Sequence, residues 1–282
     1  MKLNDIWIAD ILKLSKRNEM YERLEESIMA ITGRLTLPTD VDVIDETIRL
    51  KNLLGADALR DCDGTEMPEA LLSEPVKRYA TYYTTRKDNA WAEQNPDEVQ
   101  QEYLISNRET ARGETLRIRL MEGFHTQQLK VNTLDDPKRW WEVIDRTTGE
   151  VVPTDCWEFD EASGEVEIQT VPYHEYTVSF LAFLIWDPVH MYNFLTNDWT
   201  DTPHQLTYDV RQPKTQKYVK EKLRKWCEDN PHIDVVRFTT FFHQFTLTFD
   251  DQKREKFVEW FGYSASVSPY ILEKFEKWAG YK

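Results

Sequence analysis

Val178-Ser-Phe-Leu-Ala-Phe-Leu-Ile-Trp186 is the most apolar run in the chain, and it stops abruptly at Asp187-Pro-Val-His-Met-Tyr-Asn193. A nearly continuous apolar segment of this length is what a strand buried on both faces requires, and such strands belong to parallel sheets. Downstream, residues 214–230 carry an apolar stripe of Tyr218, Val219, Leu223, Trp226 and Cys227 at helical spacing. Ile233-Asp-Val-Val-Arg-Phe-Thr-Thr-Phe-Phe242 then reads as a second buried strand. Strand, helix and strand at this spacing predict a βαβ unit.

Upstream, Pro38 with Thr39-Asp40 marks a helix start, Ile44, Ile48 and Leu54 supply its apolar face, and Gly55 its end. Ala56 to Leu59 follows as a short strand that runs into the polar loop Arg60-Asp-Cys-Asp-Gly64. A strand ending in such a loop fits the active face of an α/β barrel. Residues 75–86 read as helical, 87–113 give no clear pattern, and 115–121 alternate as a strand. Between 140 and 176 two hairpins are expected, turning at 145–149 and at 162–164. They mark an antiparallel insertion. Residues 2–28 predict one or two short helices, and Ser268-Pro269 opens a last helix that ends at Gly280.

These readings give an α/β fold: a partial (β/α) TIM-type barrel with an antiparallel β insertion at about 140–176 and an N-terminal helical segment over 1–31. Three or four parallel strands are visible, whereas a full barrel takes eight in roughly 250 residues.

The chain has 282 residues and a net charge of −15, which opposes binding to a nucleic-acid backbone. Cys62, Cys156 and Cys227 are odd in number and widely spaced. This predicts free thiols in a reducing compartment and speaks against a zinc site. No run is apolar and long enough to span a membrane, and charged residues interrupt the N-terminus where a secretion signal would lie. A cytoplasmic location follows.

Arg60 and Arg237 lie at or within strands expected to be buried, so each guanidinium needs a partner. A carboxylate (Asp61, Asp63 or Asp187) and a phosphate or sugar are equally open. Asp187 and His190 sit where a strand meets a loop; Asp187 also suits an N-cap, and His190 a hydrogen-bonding role. Asn193 stands beside them. Trp260 fits either a sugar platform or core packing. No Walker loop, dinucleotide fingerprint, HExxH or GxSxG occurs.

Long segments resemble the inverting galactoside phosphorylases, a family that includes lacto-N-biose/galacto-N-biose phosphorylase and galactosyl-rhamnose phosphorylase. They are Thr32-Gly-Arg-Leu-Thr-Leu-Pro38, Gly55-Ala-Asp-Ala-Leu-Arg60, Trp141-Glu-Val-Ile-Asp-Arg-Thr-Thr-Gly-Glu-Val151 and His174 to Ala182. The likeness goes on through Ile185 to Val189, Met191 to Asn193, Thr196 to Trp199, Asp234 to Phe242 and Gln244 to Leu247. The resemblance implies phosphorolysis of a β-galactoside to galactose 1-phosphate and an acceptor sugar, N-acetylhexosamine or L-rhamnose. Inorganic phosphate is then the co-substrate, and no metal or organic cofactor is implied. Arg60, Asn193, Arg237 and Trp260 match ligand-contacting positions of the family. His190 stands where members acting on N-acetylhexosamines carry Glu. The family's general acid is an Asp on a later barrel strand, so it is expected beyond residue 282. The isolated chain is accordingly expected to be inactive, with a C-terminal complement or a homo-oligomer as possible partners.

Overall fold

A computed structural model describes residues 34–61, 67–196, 198, 200, 203–239, 246–259 and 267–281. The expected N-terminal helical segment, Cys62 to Gly64 and Trp260 lie outside the described residues. Along the chain run β1 (Thr36–Pro38), α1 (Ile44–Leu54), β2 (Ala58–Arg60), β3 (Lys77–Tyr83), α2 (Asn89–Gln94), β4 (Gln101–Ile105) and β5 (Glu109–Thr110). There follow β6 (Thr115–Arg119), β7 (Leu129–Val131), α3 (Pro137–Trp140), β8 (Glu142–Asp145), β9 (Trp157–Asp160), β10 (Glu165–Gln169) and β11 (Glu175–Leu184). The order closes with α4 (Pro188–Thr196), α5 (Pro213–Asp229), β12 (Val235–Thr239), β13 (Thr246–Phe249), β14 (Glu255–Glu259) and α6 (Pro269–Ala279).

The chain divides into two compact units. Of the described residues, those up to Tyr82 together with Leu223–Thr239 form the first, and Tyr83–Lys222 with those after Thr239 the second. The first unit holds a four-stranded sheet in the order β1-β2-β3-β12. β1, β2 and β3 run parallel, with Leu37 beside Leu59 and Arg60 beside both Pro38 and Tyr79. Asp40 caps the turn before α1 by accepting from the Asp42 amide, and Gly55 ends the helix in the left-handed conformation at φ 61°. Leu37, Leu59 and Leu71 pack on Leu50 of α1, and this apolar layer covers one face of the sheet.

The helix expected over 75–86 is instead the strand β3. Its Tyr79-Ala-Thr-Tyr-Tyr83 core is aromatic and β-branched, and the parallel ladder from β2 settles the matter. Helical spacing of apolar groups over one turn is too weak a signal to outweigh that pairing.

A second correction concerns 178–186. β11 is not a parallel strand but the centre of an antiparallel sheet, paired with β4, β5, β7 and β8. β12 lies in the other sheet, so the two do not form a βαβ unit. Nine of the ten residues of β11 are buried. Burial on both faces demands an apolar run whichever way the neighbours point, so composition could not reveal strand direction. Antiparallel pairing therefore extends well beyond 140–176: β6 pairs with β10, and β4 with β11. The two expected hairpins are present as β8 with its bridge from Ile144 to Val151, and as β9–β10.

Phe180, Val178, Leu181 and Leu184 of β11 pack with Trp157, Val166 and Ile168 in the main core of the second unit. Its chemistry extends to Asp145, which accepts from the Thr147 and Thr148 amides and from His174 Nδ1 at 2.7 Å. Burial pushes this carboxyl up, but those three hydrogen bonds outweigh it and hold the group below its ordinary value of 3.8. A depressed folded value means that the stabilisation is present above pH 3.8 and is lost as pH falls through the folded value. Asp145→Asn is therefore expected to lower the melting temperature at pH 7, by an amount that shrinks below pH 3.8. Thermal melts of both proteins across that range test this; a constant difference refutes it.

Candidate functional site

In the first unit, one sheet carries both arginines, Arg60 on β2 and Arg237 on β12. Leu59 turns toward α1, so alternation puts Arg60 on the opposite face. Leu59 lies beside Arg78, and Tyr82, four residues on, shares that side of β3. Tyr82 touches Trp226 of α5 at 5.4 Å and Phe238 of β12 at 6.3 Å, ring centre to ring centre. Phe238 thus meets the Tyr82 ring, and Arg237 is the residue before it on β12. β3 separates the strands of Arg60 and Arg237, a span of roughly 10 Å from two strand spacings of about 4.8 Å.

The carboxylates expected as partners are engaged elsewhere. Asp61 is buried and accepts from the Thr81 amide at 2.6 Å and the Thr81 hydroxyl at 2.7 Å. Among the described residues, the Arg60 side chain donates only to the Asp61 carbonyl, at 3.3 Å. It is half-buried and has no carboxylate partner there. Asp63 lies outside the described residues.

The second unit holds the other candidates. Asp187 is fully buried and caps α4: its Oδ1 accepts from the His190 amide at 2.6 Å, and its carbonyl from the Met191 amide at 2.8 Å. The same Oδ1 accepts from Arg86 Nη1 at 2.7 Å. The ion pair is buried on both sides, with side-chain exposures of 8% and 0%. The N-cap expected for Asp187 is thus present, and Arg86 is an ionic partner of its carboxylate.

His190 is buried, and its Nδ1 accepts from Trp186 Nε1 at 2.9 Å. Burial, then Arg86 and His204, hold its imidazole below the usual histidine range. His204 stacks on Trp186 with ring centres 3.4 Å apart, and burial followed by Lys253 lowers it too. Asn193 is half-buried on α4, one turn after His190. α4 therefore carries both candidates on one short, firmly capped segment.

Sequence reasoning missed Arg86, His204 and the part played by Trp186. Arg86 fell inside an expected helix, so its position after a strand was invisible. His204 lies 14 residues after His190 with no motif around it. The contact of Trp186 with both histidines arises only from folding. The described residues hold no cluster of His, Cys, Asp or Glu suited to a metal. None of their helices is long and apolar enough to cross a membrane.

Comparison with known proteins assigns residues 33–282 to the model of the lacto-N-biose phosphorylase N-terminal TIM barrel domain. Two 1,3-beta-galactosyl-N-acetylhexosamine phosphorylases of Lachnoclostridium phytofermentans are 66% and 59% identical over 254 and 253 residues, 89% of this chain in each case. The D-galactosyl-beta-1->4-L-rhamnose phosphorylase of the same organism is 36% identical over 261 residues, 92% of this chain. The chain spans about a third of the length of these relatives: 35%, 35% and 36%.

Proposed function

The chain belongs to the lacto-N-biose phosphorylase N-terminal TIM barrel domain family, and from that membership we propose that it forms the sugar- and phosphate-binding part of an inverting galactoside phosphorylase. In the reaction a phosphate oxygen forms a bond to the anomeric carbon of a β-galactoside. The glycosidic C–O bond breaks, and an acid delivers its proton to the leaving oxygen. Galactose 1-phosphate and a free acceptor sugar result, with no metal or organic cofactor. Direct attack by phosphate replaces the base-activated water of an inverting hydrolase.

The observation that carries this reading is Arg60: a half-buried guanidinium with no carboxylate partner among the described residues, on the sheet that also carries Arg237. Such a group answers to an anion or to hydroxyls. His190, Asn193 and Trp260 are further residues proposed to bind substrate or phosphate. N-acetylhexosamine is the favoured acceptor, because the relatives at 66% and 59% identity carry that specificity in their names and the rhamnose enzyme stands at 36%.

The general acid that the resemblance implies is an Asp on a later barrel strand. A reducing, cytoplasmic compartment fits the free thiols of Cys156 and Cys227.

Titration calorimetry of the chain with galactose 1-phosphate tests the reading. Binding is expected, and Arg60→Met or Arg237→Met is expected to weaken it at least tenfold. The chain alone is expected to bind without turning over galactosyl-N-acetylhexosamine and phosphate. Absence of binding, or binding indifferent to both substitutions, overturns the assignment.

A further inference from the structure

A helix that needs only an N-cap obtains one from Ser, Thr or Asn without burying charge. α4 is capped instead by a fully buried carboxylate paired to a buried guanidinium from 101 residues earlier in the chain. Arg86 is itself held in place: its carbonyl accepts from the Tyr208 hydroxyl at 2.6 Å, and its guanidinium lies 4.2 Å from the centre of the Tyr83 ring. Taking two charges out of water consumes most of what their attraction returns, so stability alone does not account for the pair.

One carboxylate oxygen, Asp187 Oδ1, serves both Arg86 and the His190 amide. Any shift of the guanidinium therefore moves the first turn of the helix. The bond from Trp186 to His190 fixes a second feature. An indole N–H only donates, so His190 Nδ1 is the acceptor and the ring proton sits on Nε2. Among the described residues, the groups that face this imidazole include Arg86, His204 with its ring centre 6.5 Å away, and Trp186 and Phe194 from its own segment, while Asp187 holds the backbone amide. Arg86 opposes a second positive charge at this point.

We propose that Arg86 is a positioning residue: acting through Asp187, it fixes the first turn of α4 and keeps His190 as the neutral Nε2–H donor, with Asn193 one turn further on. The ligand this would serve, galactose 1-phosphate, rests on the function proposed above; the geometry does not.

Three variants separate positioning from mere support of the fold. Arg86→Met leaves Asp187 buried without its cation. Arg86→Met with Asp187→Asn removes both charges yet keeps an amide oxygen for the His190 N–H. Arg86→Lys keeps the charge. Long-range proton–nitrogen spectra of His190 are expected to show the Nε2–H form in the parent. In Arg86→Met the imidazole is expected to titrate at higher pH, and Arg86→Lys is expected to restore the parent behaviour. In the charge-free double variant, parent-like melting is expected together with at least tenfold weaker binding of galactose 1-phosphate. A double variant that melts and binds like the parent, or an Arg86→Met protein whose His190 titrates as in the parent, overturns the proposal. Should the parent itself not bind galactose 1-phosphate, the functional reading falls, and the His190 spectra alone decide the role of Arg86.

Discussion

Phe180→Ala is expected to lower the free energy of unfolding by about 4 kcal/mol, the middle of the range for removing a buried ring. Phe180 is fully buried at the centre of β11. Its ring meets Phe124 edge-on at 6.4 Å and Trp141 at 6.0 Å. Such aromatic pairs add roughly 0.5–1.5 kcal/mol each beyond the area they bury. The strand itself is paired with β4, β5, β7 and β8, so its backbone is poorly placed to collapse into the void. Urea denaturation should show the midpoint moving with no change in slope. Trp278→Ala provides the contrast: this ring is 82% exposed, and its loss is expected to cost about 0.5 kcal/mol or less. A Phe180→Ala loss below about 1 kcal/mol would mean that the core refills more readily than close packing allows.

Glu98→Ala is the second large effect, at about 3 kcal/mol. Glu98 is 2% exposed, and its two oxygens accept from the amides of Lys214 and Thr215 and from the Thr215 hydroxyl. These are first-turn donors of α5, which an α-helix leaves without internal partners. A carboxylate from 116 residues earlier thus performs the capping that a local Ser or Asp usually performs. Its removal strands buried donors, each worth about 1–3 kcal/mol, and takes a negative charge from the positive end of the helix dipole. Glu98→Gln, which keeps one acceptor oxygen, is expected to recover part of the loss. Hydrogen exchange at the start of α5 should accelerate more than exchange in β11. Equal acceleration in both would show a general loosening instead.

How much of this was legible beforehand differs from element to element. α1, α5 and α6 could be read directly, because apolar residues recur at helical spacing and Asp40, Pro269, Gly55 and Gly280 mark their ends. Gly55 and Gly280 do take the left-handed conformation, at φ 61° and 75°. The β9–β10 hairpin was legible for a similar reason: alternation on both sides of a turn at Gly164, where φ is 69°. β3 was not, since Tyr and Thr take either helix or strand according to what lies beside them, and β2 decided it. Nor was the direction of β11.

For the candidate site the division falls along the same line. Sequence alone determined the family likeness, the helices with their caps, and the presence of Arg60, His190, Asn193 and Arg237 at the edges of apolar segments. Tertiary structure decided which of them share a sheet and which carboxylates already hold partners. Arg60 and Arg237 come into one sheet with β3 between their strands, a relation carried by hydrogen bonds between strands far apart in the chain. Asp187 belongs to Arg86 because folding brings together residues 101 positions apart. Local order is written in the spacing of neighbours, whereas the pairing of strands and buried charges is settled by long-range contacts that no local pattern encodes.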